Sequence, residues 1–175
     1  MVTNKKCFGC GKKPIIKLSY TIIKYCNGCF VRLIEKRVRK DIRINKKIGR
    51  NKQIKLLNDG SKEFEVAEKI LKNIFGEFAN IKKVNKTDKE TLTPTNLDRE
   101  ARINLESYLQ NEKTPKKTGK LILNNVLEEE IIIFCKIKRI KADNKEPKND
   151  LLESIEKKHP GTKFGIAKSF EKIMK

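Results

Sequence analysis

The chain has 175 residues and a formal charge of +20 at pH 7, enough length for one modest core with a small appended unit. Only 37% of its residues are hydrophobic, and the longest apolar run is Ile131-Ile132-Ile133-Phe134-Cys135, which excludes a membrane-spanning helix of about 20 residues. The opening Met1-Val2-Thr3-Asn4-Lys5-Lys6 meets a cysteine before any apolar stretch, so a secretory leader is not expected and a cytoplasmic location is.

The positive charge is concentrated. Residues 1–55 hold 17 Lys and Arg against Glu35 and Asp41, a net +15, whereas residues 56–175 hold 25 against 20, a net +5. A composition bias spread over the whole chain would not produce that split. So local an excess repels itself unless a polyanion relieves it, and nucleic acid is the expected partner.

In chain order, the first feature is a pair of knuckles, Cys7-Phe8-Gly9-Cys10 and Cys26-Asn27-Gly28-Cys29. Two residues between cysteines let both sulfurs of a knuckle face one ion, and Gly9, Gly11 and Gly28 supply permissive backbone. The stretch between them, with Pro14 near its start and β-branched residues after it, predicts a hairpin. This is the pattern of a zinc ribbon with Cys7, Cys10, Cys26 and Cys29 as ligands. Disulfide pairing is the bland alternative in such a spacing, disfavoured in a reducing compartment. A rubredoxin-like iron site uses the same four thiolates, so the spacing leaves zinc and iron both open. Four thiolates fill the coordination sphere, which makes the site structural.

Residues 30–43 repeat with helical period: Val31, Ile34, Val38 and Ile42 form one stripe and Arg32, Lys36, Arg39, Lys40 and Arg43 another. A charged stripe is ordinarily a solvated face. Here acids are nearly absent, and cations continue through Lys46, Lys47 and Arg50, so few ion pairs can form along the helix. The stripe, with Arg37 beside it, is therefore expected to contact RNA phosphates. Among the aromatic residues Phe8, Tyr20, Tyr25 and Phe30, most are expected to fill the ribbon's small core rather than stack on bases.

Beyond Gly49 the pattern becomes strand, turn and helix. Gln53–Leu57 predicts a strand, 58–61 a turn, and the spacing of Phe64, Ala67, Ile70, Leu71, Ile74 and Phe75 a helix. Residues 79–84 and 91–95 predict two further strands. Thr95-Asn96-Leu97-Asp98 carries a capping signature ahead of a helix burying Leu97, Ala101, Leu105, Tyr108 and Leu109. Residues 111–120 predict a polar loop. The segment 128–140 fits helix or strand, its β-branched run favouring strand. Another loop is expected at 144–149, then helices over 151–158 and 163–174 around His159-Pro160-Gly161. The alternation predicts an α/β layer structure. No set of residues offers a nucleophile, a base and a stabiliser together, and His159 is expected to pack or cap rather than move protons. Cys135 is expected in the core.

Four stretches carry a resemblance: CNGCFVRLIEKRVRKDIR, QIKLLNDGSKEFEVAEKIL, TPTNLDREARINLESYLQNE and HPGTKFGIAKSFEKI. Their order resembles the tRNA 2-thiolation proteins of the PP-loop ATP-pyrophosphatase superfamily. The resemblance implies an amino-terminal zinc ribbon (1–30), a basic linker helix (31–50) and a reduced Rossmann-like, adenine nucleotide alpha hydrolase-like domain (51–175), truncated and degenerate. Active members carry S-G-G-x-D-S after the first strand, where this chain has Asn58-Asp59-Gly60-Ser61-Lys62-Glu63. The family's catalytic cysteines are missing, Glu146-Pro147 stands where a C-P-Y motif is expected, and no second ribbon follows. This pattern resembles the non-catalytic partner subunit of the cytoplasmic tRNA 2-thiolation complex. It implies a catalytically inactive, tRNA-binding subunit without ATP, paired as a heterodimer with an active paralogue that thiolates the wobble uridine. A stand-alone zinc-ribbon protein of the ribosome or transcription apparatus is the alternative, and a surviving ATP-dependent tRNA sulfurtransferase the third reading.

Overall fold

A computed structural model describes residues 6–49, 53–112, 118–141 and 147–173. The elements in order are β1 (Ile16–Lys17), β2 (Lys24–Tyr25), α1 (Asn27–Ile44), β3 (Gln53–Leu57), α2 (Lys62–Phe75), β4 (Asn80–Val84), β5 (Leu92–Pro94), α3 (Leu97–Leu109), β6 (Lys120–Ile122), α4 (Glu128–Lys138), α5 (Asp150–Lys158) and α6 (Thr162–Ile173). A short 3-10 turn, Gly76–Phe78, follows α2. The α/β class is as the alternation predicts.

β1 and β2 form an antiparallel hairpin, with Ile16 opposite Tyr25 and Lys17 opposite Lys24. The other strands form one parallel sheet in the order β4-β3-β5-β6. Helix α2 connects β3 to β4, and α3 connects β5 to β6, the crossover that parallel strands require. Residues 85–91 suffice to join β4 to β5 because the sheet is stepped: Leu92 of β5 lies level with Leu56, near the carboxyl end of β3. The alternation in QIKLL explains the layering. Ile54 and Leu56 are buried and Gln53 and Lys55 exposed, so this part of the sheet is apolar on one face only.

One buried cluster runs without a break from Ile16, Leu18, Tyr25 and Phe30 of the ribbon region, through Ile34 and Val38 of α1, to Ile54, Phe64, Ile70, Leu92, Ile131 and Phe134. Ribbon, basic helix and sheet thus share a core. The apolar stripe expected on the basic helix is the buried face of α1, which starts inside the second knuckle at Asn27.

Three elements differ from the expectations. Residues 128–138 form helix α4, not a strand. The β-branched run costs helix propensity of at most about 0.7 kcal/mol per residue, and local charge and packing outweigh it. Glu128, Glu129 and Glu130 occupy the first turn, where the helix dipole favours anions, and Glu130 Oε2 accepts the Leu127 N–H at 3.0 Å. Ile131, Phe134 and Cys135 then fall on one buried face. Second, β6 begins at Lys120, inside the stretch expected to be a loop. Gly119 (φ +93°) turns the chain into it, and a Cβ there would lie 2.7 Å from the Thr91 carbonyl oxygen. Third, the α3 cap is Asn96, whose Oδ1 accepts the Arg99 N–H at 2.7 Å, while Thr95 donates its hydroxyl to buried Glu100 at 2.8 Å, and Tyr108 and Leu109 of α3 are exposed rather than buried. Among the described residues, no helix is long and apolar enough to cross a membrane.

Candidate metal centre and nucleic-acid interface

The hairpin brings the two knuckles together. The sulfurs of Cys7, Cys10, Cys26 and Cys29 all lie within 4.8 Å of one another, with Cys10 and Cys26 3.5 Å apart. A single tetrahedral ion with metal–sulfur bonds of about 2.3 Å spaces four sulfurs about 3.8 Å apart, so this set fits one ion. A four-iron cube would interpose the cube itself and spread its thiolates further. The knuckle geometry is tight. The Cys26 N–H donates to Cys7 Sγ at 3.2 Å, and a Cβ on Gly9 would lie 2.8 Å from Cys29 Sγ.

The electrostatics prepare the site for a cation. Burial works to raise Cys7, but N–H groups from Cys26, Gly9 and Cys10 outweigh it and bring its thiol down to about 6. Cys26 is lowered too, chiefly by the Cys29 backbone N–H. Cys29 is pushed up to about 12 by its hydrogen bond to Cys10, with burial next. Cys7, Cys26 and Cys29 thus hold their protons unequally, and a metal ion replaces the protons that remain. The cluster is a four-cysteine metal-binding site. Cys135, the remaining cysteine of the sequence, is buried in α4, and burial raises its thiol to about 11.

The cations singled out beside the ribbon divide into two groups. Arg32, Lys36, Arg39, Lys40, Arg43 and Lys46 are exposed. Among the described residues, none of these six has a carboxylate partner. Arg37 and Lys47 are committed elsewhere, which corrects their assignment to the RNA face. Arg37 Nη1 bonds Glu130 Oε2 at 2.6 Å and the Asn125 carbonyl at 3.1 Å, Nη2 donates to the Tyr20 hydroxyl at 3.0 Å, and the guanidinium lies 5.7 Å from the Phe164 ring centroid. Lys47 is buried on Asp41, the Leu121 carbonyl oxygen (2.7 Å) and Asn124 Oδ1 (3.1 Å). Arg37 flanks the apolar stripe, three residues after Ile34 and one before Val38, and that flank was the available signal. Arg50 lies outside the described residues.

The aromatic residues divide in the same way. Phe30 is fully buried, Tyr25 nearly so, and Tyr20 donates its hydroxyl to Glu130 Oε1 at 2.6 Å; burial first, and the Glu130 carboxylate next, raise its pKa. Phe8 is exposed. His159 caps α5, its N–H bonded to the Ile155 carbonyl.

The loop 58–61 forms Asx turns. The Gly60 N–H is bonded to Asn58 Oδ1 at 3.3 Å and the Ser61 N–H to Asp59 Oδ1 at 3.0 Å, and Gly60 has φ +70°. Amides that an anion-binding loop turns toward phosphate are bonded here to the loop's own side chains. Behind the loop lies a network that the sequence did not reveal. Lys62 Nζ pairs with Glu128 Oε1 at 2.9 Å and Glu63 Oε1 at 3.3 Å, and Asn96 Nδ2 donates to Glu63 and Glu128, each at 3.0 Å. Burial opposes the Lys62 charge, but Glu128 and Glu63 more than restore it and raise its pKa. Helices α2, α3 and α4 all begin at this network, so their positive ends meet carboxylates supplied by the chain. Glu63 Oε2 has no hydrogen-bond partner and lies 4.0 Å from Arg99 Nη2.

A separate cleft of about 600 Å³ lies between Ser19, the starts of α3 and α4, and the α5–α6 pair. Its buried Lys163 is already paired with Asp98 at 2.6 Å and Glu153 at 2.5 Å. Neither the 58–61 loop nor the four cysteines line it.

No protein-family model matches the chain. No curated protein matches it. Among solved structures it is similar to the U34-tRNA thiolase NcsA from Methanococcus maripaludis, determined with its [4Fe-4S] cluster, at a TM-score of 0.75 and 17% identity. The match covers 99% of this chain and 89% of that one. At that identity the likeness is one of fold. It overturns the expectation of a catalytically inactive chain: 99% of the chain shares its fold with a thiolase, and at 17% identity the departures in the 58–61 loop and in the expected cysteines do not establish inactivity.

Proposed function

We propose that this chain is a cytoplasmic tRNA-binding component of the 2-thiolation of wobble uridine. The observation that carries the proposal is the fold shared with a U34-tRNA thiolase over nearly the whole chain. In this reading residues 51–175 are a PP-loop-type α/β domain, and the ribbon and α1 face the tRNA. The exposed cations of α1 span Arg32 to Arg43, about 16 Å at 1.5 Å per residue, a length that follows several successive phosphates.

The metal is zinc. Four thiolates within 4.8 Å suit one closed tetrahedral ion that organises the knuckles and leaves no open position for substrate. The resemblance noted in the sequence also implies a second thiolation subunit as partner, and the proposal includes it.

The test is mass spectrometry of the complex purified from native cells, with its RNA sequenced and its metal measured. We expect tRNA, a thiolation subunit and one zinc per chain. Ribosomal or polymerase components in place of these, or no tRNA retained at physiological ionic strength, would refute the proposal.

A further inference from the structure

The hairpin of the metal site presents a second basic face, apart from the α1 stripe. Lys17 and Lys24 are register partners on adjacent strands, so their side chains stand side by side on the hairpin's outer surface. Like charges placed opposite one another destabilise a hairpin. Among the described residues neither lysine has a carboxylate partner; the Glu129 carboxylate that reaches this region is bonded to the Ser19 N–H and hydroxyl at 3.0 and 2.6 Å, and Lys12 and Lys13 add to the same sign.

Two large apolar side chains are exposed on the same ribbon. Phe8 is 75% exposed and Ile15 is 73% exposed. Phe8 is nevertheless held in place: its N–H donates to the Lys24 carbonyl oxygen at 3.1 Å, and its ring meets Tyr25 edge-on at 6.4 Å. The Ile15 N–H donates to the Tyr25 carbonyl oxygen at 2.9 Å. Phe8 also lies within the first knuckle, so a metal bound by Cys7 and Cys10 would fix its backbone on both sides. An exposed aromatic ring held at the edge of a cationic hairpin, its backbone bonded to that of Lys24, matches a polyanion that carries flat, unpaired rings.

We propose that Phe8 stacks on an unpaired base of the bound tRNA while Lys17 and Lys24 hold the adjoining phosphates. This rests on the tRNA reading above and deepens it. RNA is favoured over an anionic membrane or an acidic protein because this face joins the α1 stripe through the second knuckle, where α1 begins at Asn27. One nucleic-acid strand running over both surfaces accounts for both sets of cations.

The test uses the full-length, metal-loaded protein with three probes: a tRNA transcript, a single-stranded oligonucleotide and a blunt duplex. Phe8→Leu is expected to weaken the tRNA and the single strand about ten-fold and leave the duplex unchanged, whereas Phe8→Tyr keeps wild-type affinity. The Lys17→Ala, Lys24→Ala pair is expected to weaken all three and reduce the salt slope by about 1.5 to 2. A measurement on the unsubstituted protein guards against loss of folding: a 2-aminopurine single strand is expected to lose emission on saturation through stacking. Unchanged emission, an equal loss for duplex and single strand, or tighter binding to phosphatidylserine vesicles than to RNA would overturn the proposal. If the unsubstituted protein ignores tRNA altogether, the function proposed above fails. If it binds tRNA and Phe8→Leu binds equally well, only the stacking site fails.

Discussion

Arg37 and Arg39 lie two residues apart on one basic helix, and the structure gives them different tasks. Arg37 has a side chain 22% exposed and is bound to Glu130, which is fully buried. Removing the guanidinium strands that carboxylate with only the Tyr20 hydroxyl and the Leu127 N–H. Breaking one partner of a buried pair costs about 3–5 kcal/mol. For a chain of this length that corresponds to a fall in melting temperature of roughly 6–20 °C. Arg37→Ala is therefore expected to lower the melting temperature by that amount, while the folded fraction binds tRNA within two-fold of wild type. Arg39→Ala is expected to move stability by less than about 0.5 kcal/mol. It should weaken every tRNA alike and lower the salt slope by about one. Thermal denaturation by circular dichroism and tRNA binding across a salt series measure both quantities. If Arg37→Ala melts like wild type and loses tRNA affinity as Arg39→Ala does, the division of the helix into a clamped and a free set of cations is wrong.

Zinc titration at pH 7 is expected to release fewer than four protons per ion. Cys7, at about 6, is then about nine-tenths thiolate and Cys26 is lowered as well, so the release rises as the pH falls through 6. Calorimetry in buffers of different ionisation enthalpy counts these protons, and four at pH 7 would contradict the proton sharing. Gly9→Ala places a Cβ 2.8 Å from Cys29 Sγ and is expected to weaken metal binding roughly ten-fold or more, measured by chelator competition. Lys62→Met removes the buried cation between Glu63 and Glu128 and is expected to cost about 3–5 kcal/mol in urea unfolding.

The metal ligands were legible because their signal is local: two knuckles, a hairpin between them and a glycine wherever the turn is tight. The buried face of α1 was legible for the same reason, since Val31, Ile34, Val38 and Ile42 declare it by spacing alone. The role of Arg37 was not. It is set by Tyr20, 17 residues away, and by Glu130, 93 residues away, which a helical period does not register. The sequence leaves α4 open between helix and strand, and the lean of its β-branched run toward strand fails because propensity is a weak term. Three glutamates in the first turn and a buried face against the core outweigh it. The Lys62 network stayed hidden because it is assembled from the first turns of three helices, each of which reads in isolation as ordinary capping.

These buried pairs explain how a chain with so large a charge folds and where the charge goes. Lys62 is met by Glu63 and Glu128, Lys163 by Asp98 and Glu153, Lys47 by Asp41, and Arg37 by Glu130. Carboxylates are spent on cations that packing draws inward, where an unmatched charge would cost most. The excess is thereby displaced outward, onto α1 and the ribbon, where the nearest acids in sequence are Glu35 and Asp41. Glu35 accepts a hydrogen bond from Asn73, and Asp41 is turned to Lys47. Adding salt to the free protein therefore screens repulsion among exposed cations and leaves the inward pairs nearly unchanged. Moderate salt should raise the melting temperature of the free protein while it weakens the tRNA complex. A fall in both would mean that the exposed cations are engaged within the protein after all.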